Sequence, residues 1–538
     1  MVPRVLFGDD SQADQGLFDP RRVRPDGPAV LRLPAHGSSF RQVHSTCQRT
    51  AAALPLRPAR GAPLSTRRKT PGAVRMLRGR ELARGFGSWL RPPRHPARLV
   101  VFGFGAATVV GTLLLMLPIS AESRAVTDPV TALFTAVSAV CVTGLVVVDT
   151  DSHWSLFGEL VILGLIQIGG LGIMTLASLL GLLVARRMGL RMQLIAQTEN
   201  KTVRLGESRR VVVGVIRMSL LVEALVGVAL AARFMIGYDE RGWNAIYLGF
   251  FHSVSAYNNA GFALYPDNLM GFATDPWIIV PISLALVVGG LGFPVVFEIT
   301  RSMRRQRVRG IRWRRWSLHT RITLITYALL SAVGVVAVIA FEWSNPGTLG
   351  PLGTAHKLLV GGFHGLSPRT AGFNSLDMGA MHSSTLLIND VLMFIGGGSA
   401  GTAGGIKVTT FALLAFVIMA EIRGEPTVHV MGRRLAAPVQ RQAITVVLLG
   451  GGAVVIGTLI LLTMTGMDLD SVLFEVVSAF GTVGLSTGIT ADIPDPGLIV
   501  LVVLMFIGRL GPITLATALA LRDRGRRYEL PEERPIVG

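Results

Sequence analysis

Four short segments of the chain carry residue types that can coordinate a bare cation through neutral oxygen atoms. Each segment begins with Phe, has Ser four residues later and ends in Gly after two residues that are mostly small or apolar. The copies start at Phe134, Phe251, Phe363 and Phe474 and reach Gly144, Gly261, Gly372 and Gly484, so Phe and Gly are 10, 10, 9 and 10 residues apart. Because Gly adopts backbone angles that other residues avoid, such segments can turn successive carbonyl oxygens toward one ion.

The candidate ligands are the carbonyl groups of each Gly and of the two residues before it. We name these triplets filter loops 1 to 4, and they are Val142, Thr143, Gly144; Asn259, Ala260, Gly261; Thr370, Ala371, Gly372; and Thr482, Val483, Gly484. The triplets contain no Asp or Glu. Because Ca²⁺ and Mg²⁺ sites are rich in carboxylate oxygens, the loops favour a monovalent cation.

A second Gly-rich signature begins its Gly run 24 to 28 residues after each filter Gly. Its four copies are 168–172, 288–292, 395–399 and 507–511, and successive filter Gly residues are 117, 111 and 112 residues apart. Two linked signatures in four copies and in the same order predict a fourfold internal duplication. The favoured interpretation of the Gly pairs in this second signature is close helix packing, and ion contact is the alternative.

Long apolar runs flank each filter loop, and each is long enough to cross about 30 Å of hydrocarbon. The runs before the loops are 98–118, 211–236, 321–341 and 443–464, and those after them are 155–184, 277–299, 386–420 and 497–521. Between the two runs lies a segment too short to span, with helix-start signals at Asp128-Pro129, Trp243-Asn244, Gly350-Pro351 and Asp470-Ser471. Each repeat is therefore predicted to be a span, a re-entrant half-helix, an extended loop and a second span.

The composition agrees with a membrane protein. The 538 residues are 50% hydrophobic and 16% charged, and the mean hydropathy is +0.53, which excludes an ordinary soluble globular protein. Two Cys residues far apart form neither a disulfide framework nor a metal cluster. We predict an all-α membrane protein with four tandem repeats, 98–184, 211–299, 321–420 and 441–521, in a pseudo-fourfold arrangement around one pore.

The segments outside the repeats are basic. Residues 1–75 hold 13 Arg and Lys against 5 Asp and Glu, with many Pro, and we predict a disordered extension. One hypothesis is that translation starts at Met76; the alternative is a real tail attracted to anionic lipid. Residues 76–97 are predicted to be a cytoplasmic lead-in, and residues 522–538 a cytoplasmic tail.

The distribution of charge predicts the orientation in the plasma membrane. Residues 301–321 contain nine Arg and no acid, and residues 185–210 contain seven Arg and Lys against two Glu. Such inter-repeat loops face the cytoplasm, which also explains the net charge of +19 without nucleic-acid binding. The filter loops then face outside, where a field of carboxylates concentrates cations: Asp149, Asp151, Asp239, Asp267, Asp377, Asp492 and Asp495.

The third repeat departs from the others. Its second run contains Gly396, Gly397, Gly398, Ser399, Ala400, Gly401, Thr402, Ala403, Gly404 and Gly405, which we name the gate loop. Six Gly in ten residues predict a break into a loop within the membrane, because a helix interior loses about 1 kcal/mol per Gly relative to Ala. Arg509 replaces a Gly in the fourth repeat, and a buried Arg in a span is functional by default. Lys407 either serves similarly or extends toward the membrane surface.

The segments 367–374 (Ser-Pro-Arg-Thr-Ala-Gly-Phe-Asn) and 479–488 (Ala-Phe-Gly-Thr-Val-Gly-Leu-Ser-Thr-Gly) resemble the Trk/Ktr/HKT superfamily of potassium transporters. The resemblance covers about residues 90–525 and is greatest to the KtrB-type ion-translocating membrane subunit. It implies potassium as the substrate, with the four filter Gly residues marking the selectivity filter. It also implies that the gate loop lies beneath the filter, and that Arg509 lies in the pore near it.

The resemblance further implies partners. The sequence holds no Walker or dinucleotide motif, so we expect no cofactor in this chain and nucleotide sensing by another subunit. A homodimer is expected, with one pore in each subunit, together with a cytosolic nucleotide-binding regulatory subunit of RCK type. The Arg-rich inter-repeat loops are candidate docking surfaces for that subunit, although membrane orientation alone also explains them. Sodium is either an activator or a co-transported ion.

Two alternatives stay open at this point. One is a secondary transporter with inverted repeats for another monovalent cation such as sodium, which the common orientation of the four repeats disfavours. The other is an intramembrane serine hydrolase, because Gly397-x-Ser399-x-Gly401 matches a nucleophile elbow. No His–Asp pair is placed by spacing to complete such a triad.

Four further residues in the repeats have a structural interpretation, and for three of them a functional one stands beside it. Glu223 either forms a structural hydrogen bond to a neighbouring loop or takes part in the pore. Asn258 and Asn259 are expected to brace filter loop 2, and Asn259 is also a candidate for the ion path. Cys141 is interpreted as a small packing residue in preference to a redox site.

Overall fold

The computed structural model describes residues 96–172, 205–306 and 316–511, and these residues are largely helical. They all belong to one compact unit, Leu90–Gly538. Several predicted segments lie wholly or mostly outside the described residues: the extension 1–75, the lead-in 76–97, the tail 522–538 and much of the basic loops 185–210 and 301–321.

The first repeat contains four helices in the described residues. They are α1 (Pro96–Leu115), α2 (Pro129–Cys141), the single-turn α3 (Thr150–His153) and α4 (Leu156–Gly170). Asp128 caps α2, since its carboxylate accepts hydrogen bonds from the backbone N–H groups of Val130 (2.9 Å) and Thr131 (3.2 Å). The predicted start of this half-helix is therefore confirmed.

The second repeat contains a bend that the sequence analysis does not predict. Its helices are α5 (Leu205–Gly237), α6 (Gly242–Asn258), α7 (Pro276–Leu291) and α8 (Phe293–Gln306). The run 277–299 bends by 103° between α7 and α8. Gly292 lies at the bend with φ +88°, a conformation that ends a helix and that Gly adopts without strain.

The third repeat contains the break that its Gly content predicts. Its helices are α9 (Leu318–Glu342), α10 (Thr354–Leu366), α11 (Ser383–Phe394) and α12 (Val408–Ile422). The gate loop separates α11 from α12.

A small antiparallel hairpin, absent from the all-α prediction, connects the third repeat to the fourth. Its strands are β1 (His429–Val430) and β2 (Arg433–Arg434), with His429 opposite Arg434. The fourth repeat follows as α13 (Ala437–Thr465), α14 (Leu469–Gly481) and α15 (Asp495–Leu510).

Three half-helices begin at other residues than the sequence signals predict. The second starts at Gly242 after Arg241, and the third starts at Thr354 after Gly353, both without a side-chain cap. In the fourth, the cap is Asp468 and not Asp470, with Ser471 N–H donating to its carboxylate at 3.0 Å. The hydrogen bonds from Ser471 hold the pKa of the Asp468 carboxyl below its ordinary value.

The half-helices α2, α6, α10 and α14 hold the repeats together. Each packs against the long helix that precedes it: α1 against α2, α5 against α6, α9 against α10 and α13 against α14. Each also contacts a helix of another repeat: α4 with α6, α7 with α10, α11 with α14, and α15 with α2. The fourth repeat thus contacts the first.

Three described helices are long and apolar enough to cross a membrane alone. They contain Val211–Gly237, Leu318–Glu342 and Ala437–Thr465, and the bent pair α7–α8 makes a fourth candidate. Other apolar helices in the described ranges, such as α4, α11 and α12, are 10–17 residues long. Among the described residues, α4 ends at Gly170, and the gate loop separates α11 from α12.

Candidate cation filter and gate

The four filter loops have the same backbone conformation. The first residue of each triplet is left-handed, with φ +57° at Val142, +60° at Asn259, +68° at Thr370 and +49° at Thr482. The Gly that ends each triplet also has positive φ: +92° at Gly144, +73° at Gly261, +73° at Gly372 and +96° at Gly484. The predicted requirement for Gly at these four positions therefore has a conformational reason.

The signature Ser anchors each loop through its backbone. Its carbonyl accepts a hydrogen bond from the N–H of the middle triplet residue in all four copies: Thr143 to Ser138 (2.7 Å), Ala260 to Ser255 (2.8 Å), Ala371 to Ser367 (2.9 Å) and Val483 to Ser478 (2.9 Å). The third copy makes this bond over four residues where the others span five, which accounts for its Phe–Gly spacing of nine.

The Ser hydroxyl provides a second anchor that the sequence analysis missed. Ser138 Oγ donates to the carbonyl of Leu145 (2.8 Å) and accepts from Gly144 N–H (3.0 Å). Ser255 and Ser367 likewise donate to the carbonyl that follows their Gly, and Ser478 accepts from Gly484 N–H at 3.1 Å. These bonds occupy N–H groups of the triplets and the carbonyls that follow them, whereas the triplet carbonyl of Gly261 accepts a hydrogen bond from the Asn268 amide at 3.1 Å.

The four filter Gly residues meet at one place. A Cβ built on Gly261 lies 2.7 Å from Gly372 Cα, and one built on Gly144 lies 3.1 Å from Gly261 Cα. One on Gly484 lies 3.1 Å from Gly144 Cα, and one on Gly372 overlaps the carbonyl oxygen of Val483. Any side chain at these positions would enter the space between the loops.

Oxygen atoms line this meeting point. The carbonyl oxygens of Thr143, Ala260 and Val483 are the nearest neighbours of Cβ atoms built on the adjoining Gly residues. The hydroxyls of Thr143 and Thr482 are buried and have no hydrogen-bond partner within the described parts of the chain. Neutral oxygens without partners are what a partly dehydrated monovalent cation requires.

The gate loop lies against three of the four filter loops. Thr402 Oγ1 donates to the side-chain oxygen of Asn259 in loop 2 at 3.2 Å. A Cβ built on Gly396 lies 3.4 Å from the methyl group of Thr370 in loop 3. In loop 4, Thr482 occupies the space beside Gly404.

Two cationic side chains hold the gate loop. Arg509 donates through one nitrogen to the carbonyl of Thr402 and through the other to that of Gly169 (2.5 Å). Lys407 donates to the carbonyls of Ala403 (2.6 Å) and Gly404 (3.0 Å), so it bonds the loop and does not extend toward a membrane surface. Both side chains therefore lie beside the gate loop.

A cavity of about 200 Å³ lies on one side of the gate loop. Its lining includes Ser219, Phe293, Thr402, Lys407 and Arg509. This cavity adjoins the loop segment from Ala400 to Ala403, so displacement of the loop would change its shape.

The Gly residues of the second signature make close packing contacts. A Cβ on Gly169, Gly289 or Gly508 would overlap the carbonyl oxygen of Val140, Tyr257 or Phe480, respectively, near the end of a half-helix. The favoured packing interpretation fits these contacts.

Glu223 belongs to a hydrogen-bonded cluster between three helices. Its carboxylate accepts from Ser219 (2.5 Å), from Gln167 (3.2 Å) and from Asn258 (3.3 Å). Asn258 also donates to Gln167 Oε1 at 2.9 Å, so the cluster braces the end of α6 from which filter loop 2 begins. These contacts match the structural alternative for Glu223 and the bracing expected of Asn258.

Two further side chains, Ser399 and Cys141, bear on the hydrolase alternative and on the choice between packing and redox roles. Ser399 Oγ lies 2.8 Å from Thr409 Oγ1, so its hydroxyl pairs with another hydroxyl and not with an imidazole, which speaks against the hydrolase. The Cys141 side chain is free and buried, as a packing residue would be.

Arg369 is the residue that the sequence analysis overlooked. It precedes filter loop 3, is 1% exposed and donates through Nη2 to the carbonyl of Gly396 at 2.9 Å. A signal was present in the sequence, since an Arg within an apolar repeat is costly unless it has a defined partner.

Comparison with known proteins decides the family. A family model described as TrkH, cation transport protein, matches residues 94–526. The chain belongs to this family. It is therefore a membrane transporter and not an enzyme, and the serine hydrolase alternative is excluded.

Individual relatives agree with the family assignment. The chain is 38% identical over 438 residues to Ktr system potassium uptake protein B of Bacillus subtilis, covering 80% of this chain and 95% of that one. It is 38% identical to the protein of the same name from Vibrio alginolyticus (82% and 94%), and 32% identical to the potassium/sodium uptake protein NtpJ of Enterococcus hirae (84% and 98%).

A solved structure shares the fold. The potassium transporter TrkH from Vibrio parahaemolyticus matches with a TM-score of 0.59 at 20% identity, over 80% of this chain and 86% of that one.

Proposed function

We propose that this chain takes up potassium through a selectivity filter built from filter loops 1 to 4. The observation that carries the proposal is the mutual contact of Gly144, Gly261, Gly372 and Gly484, with the carbonyl oxygens of the loops between them. Backbone carbonyls replace the hydration shell of a monovalent ion without a fixed charge that would retain it. Relatives at 38% identity that are named potassium uptake proteins support this choice of ion.

The four repeats are proposed to surround this single pore in a pseudo-fourfold arrangement. The contacts of α4 with α6, α7 with α10, α11 with α14 and α15 with α2 support a closed ring of repeats. The C-terminal ends of the four half-helices lead into the filter loops, where their partial negative charge favours a cation. The membrane potential, worth about 2.3 kcal/mol per charge per 100 mV, would drive uptake.

The orientation is proposed from charge. The basic loops 185–210 and 301–321 face the cytoplasm, and the plasma membrane is the location. The gate loop then lies on the cytoplasmic side of the filter, and the carboxylates near the filter loops lie outside.

The gate loop is proposed to close the pathway in the conformation described here. It contacts filter loops 2, 3 and 4, while Arg509 and Lys407 donate hydrogen bonds to four carbonyl oxygens of the loop and of Gly169. Charge-assisted hydrogen bonds are about twice as strong as neutral ones, so the loop is held firmly but reversibly.

Partners are proposed from the family. We expect a homodimer in lipid, and a cytosolic nucleotide-binding regulatory subunit of RCK type that moves the gate loop. The two relatives named as parts of a Ktr system support a second component. Sodium is retained as an activator or co-transported ion, because one relative is named for both potassium and sodium.

Ion flux into liposomes tests the proposal. Purified protein should support potassium uptake driven by an inside-negative potential, with much slower sodium uptake, and addition of sodium shows whether that ion activates. Rescue of potassium-limited growth in a transport-deficient strain is the cellular counterpart. Equal potassium and sodium uptake would reject the filter assignment.

Deletion of residues 397–404 tests the gate. The shortened chain should pass more potassium than the full chain, because the segment held by Arg509 and Lys407 is gone. Unchanged flux in folded protein would remove the gating role and leave the filter proposal standing.

A further inference from the structure

Arg369 connects filter loop 3 to the gate loop. It lies one residue before Thr370, and its guanidinium reaches the carbonyl of Gly396, the first residue of the gate loop, at 2.9 Å. Gly396 follows Ile395, whose N–H makes the last helical hydrogen bond of α11 to Val391 at 3.2 Å. The bond from Arg369 therefore lies at the junction between α11 and the gate loop.

The guanidinium of Arg369 is not neutralised by a carboxylate in the described part of the chain. The ion pairs found there are Arg233–Asp275 and His429–Glu425. The flat face of Arg369 lies over the ring of Tyr327, with 4.9 Å between Cζ and the ring centroid. This stacking stabilises the charge and orients the guanidinium toward the gate loop.

Only one of the three nitrogens of Arg369 has a hydrogen-bond acceptor. Nε and Nη1 are buried and have no partner among the described residues. Since Arg carries five N–H donors in a rigid plane, the same side chain can exchange one carbonyl acceptor for another without moving its stem. Arg369 is held by one hydrogen bond and has further N–H donors without acceptors. Such a side chain suits a contact whose carbonyl acceptor differs between two states of the gate loop.

Filter loop 3 has a conformation that needs support. Thr370 is β-branched and has φ +68°, which is strained for such a residue and persists only where the surroundings impose it. Its methyl group faces Gly396, with 3.4 Å to a Cβ built there, and its hydroxyl lies 3.5 Å from the Asn259 amide nitrogen. If the gate loop moved, Thr370 would lose the contact with Gly396.

From these contacts we propose that Arg369 is a positioning residue that couples the gate loop to the selectivity filter. While the loop is closed, Arg369 holds Gly396 against Thr370 and so supports the filter conformation of loop 3. When the loop moves, Arg369 exchanges the Gly396 carbonyl for another carbonyl of the gate loop, so the support of filter loop 3 and its ion preference last through conduction. The proposal rests on the proposed function of both loops.

A double-mutant cycle in liposomes tests the coupling. The variants are Arg369→Met, the deletion of 397–404, and both together; all retain Gly396. We expect Arg369→Met to lower the potassium-over-sodium flux ratio by about fivefold, the lower end of typical coupling between two sites. The deletion should lower the flux ratio as well. The decrease in the double variant should not exceed the larger of the two single decreases, because each change breaks the same connection.

The controls separate coupling from damage. Arg321→Met removes another Arg, at the start of α9, and should leave the flux ratio at the wild-type value. Arg369→Lys keeps the charge with one ammonium group in place of the planar fork, and should restore part of the ratio. If Arg369→Met yields no folded protein, the same cycle is run with Arg369→Lys, whose ratio should depend less on residues 397–404 than that of wild type.

The outcomes are distinguishable. Independent effects of Arg369 and the deletion, multiplying in the double variant, would overturn the coupling, and so would a wild-type ratio in Arg369→Met. Either result leaves the proposed function intact if wild-type protein selects potassium and the deletion raises flux. Wild-type protein without potassium selectivity would instead reject the filter itself.

Discussion

The filter loops are alike in all four repeats, whereas the segments that carry the second signature are not. Every filter loop has a left-handed first residue, a positive-φ Gly and a Ser that accepts the same backbone hydrogen bond. In the second signature, repeats 1 and 2 keep Gly-Gly-Leu-Gly, repeat 3 unwinds into the gate loop, and repeat 4 carries Arg509. Equivalent oxygen ligands suit selection of one ion, and a single unwound segment with a single Arg suits a movable closure.

The two regions also differ in how their backbone groups are bonded. The filter loops are anchored within their own repeat, by the Ser of the same half-helix. The gate loop is bonded by Lys407 and Arg369 of its own repeat and also by other repeats, through Arg509 of α15 and through a bond from Gly398 N–H to the carbonyl of Gly290 of α7 (2.7 Å). Movement of neighbouring helices therefore acts on the gate loop first.

The largest expected effect comes from replacing one of the four filter Gly residues, so that one filter loop differs from the other three. Gly372→Ser places a side chain where a Cβ overlaps the carbonyl oxygen of Val483, at φ +73°. We expect the potassium-over-sodium flux ratio to fall at least about tenfold, which corresponds to about 1.4 kcal/mol. Flux of each ion into liposomes measures the ratio.

Gly362→Ser is the matched control for this change. Gly362 lies in α10, the half-helix that leads into filter loop 3, and a Cβ built there has nothing within 4 Å. The control should keep the wild-type ratio; a normal ratio in Gly372→Ser as well would contradict the filter assignment.

The next largest effect is expected at the gate loop and Arg509, which differ from the corresponding segments of the other repeats. Arg509→Met removes two hydrogen bonds to carbonyl oxygens of Thr402 and Gly169, each worth about 1.5–3 kcal/mol for a charged donor. We expect potassium flux through the membrane subunit alone to rise about tenfold. This rise is smaller than the full loss of both bond energies would give, because Lys407 still holds the loop.

Arg509→Lys distinguishes two causes of that rise. Lys keeps the positive charge, but its ammonium group lacks the fork that reaches two carbonyls at once. If the hydrogen bonds close the gate, flux in Arg509→Lys should approach that of Arg509→Met. Flux at the wild-type value in Arg509→Lys would show that charge repulsion of the ion is the barrier instead.

The sequence predicts the repeated elements better than their ends. Asp128-Pro129 identified the start of α2 because cap and Pro are adjacent in the chain. Asp468 was missed in favour of Asp470, since both carboxylates could cap and only the folded backbone selects one. The bend at Gly292 was missed because apolar residues continue on both sides of it, and periodicity does not distinguish a bent run from a straight one.

The candidate site divides in the same way. The proposed filter residues recur at a fixed spacing in four repeats, so the sequence alone was sufficient to propose them, and their role stays a prediction. The role of Arg369 depends on a carbonyl 27 residues further along the chain, and that of Arg509 on Gly169, 340 residues away. Contacts of this kind arise from tertiary packing, so composition and spacing mark the residues as unusual without naming their partners.

A smaller effect is expected from the serine anchors. Ser138→Ala leaves Gly144 N–H and the Leu145 carbonyl without their buried partner, at a cost of about 1–3 kcal/mol for each unsatisfied group. Filter loop 1 can relax toward its neighbours, so we expect the flux ratio to fall only about threefold, less than for a filter Gly.

Ser152→Ala is the comparison for this variant. Ser152 lies outside the filter loops and bonds the exposed carboxylate of Asp149 at 2.7 Å. Its removal should leave the ratio unchanged. An equal fall in both variants would mean that the anchors have no specific relation to selectivity.

The smallest effect should separate stability from selectivity in the half-helices themselves. Asp128→Ala removes the acceptor for two N–H groups at the start of α2, and loss of such a cap costs about 1 kcal/mol. We expect a lower thermal midpoint in detergent with an unchanged flux ratio, because the cap lies at the end of α2 opposite to filter loop 1. Asp128→Asn keeps an oxygen acceptor and should restore the midpoint. A changed flux ratio in Asp128→Ala would show that the whole half-helix, and not only its anchored C-terminal end, sets the position of the filter oxygens.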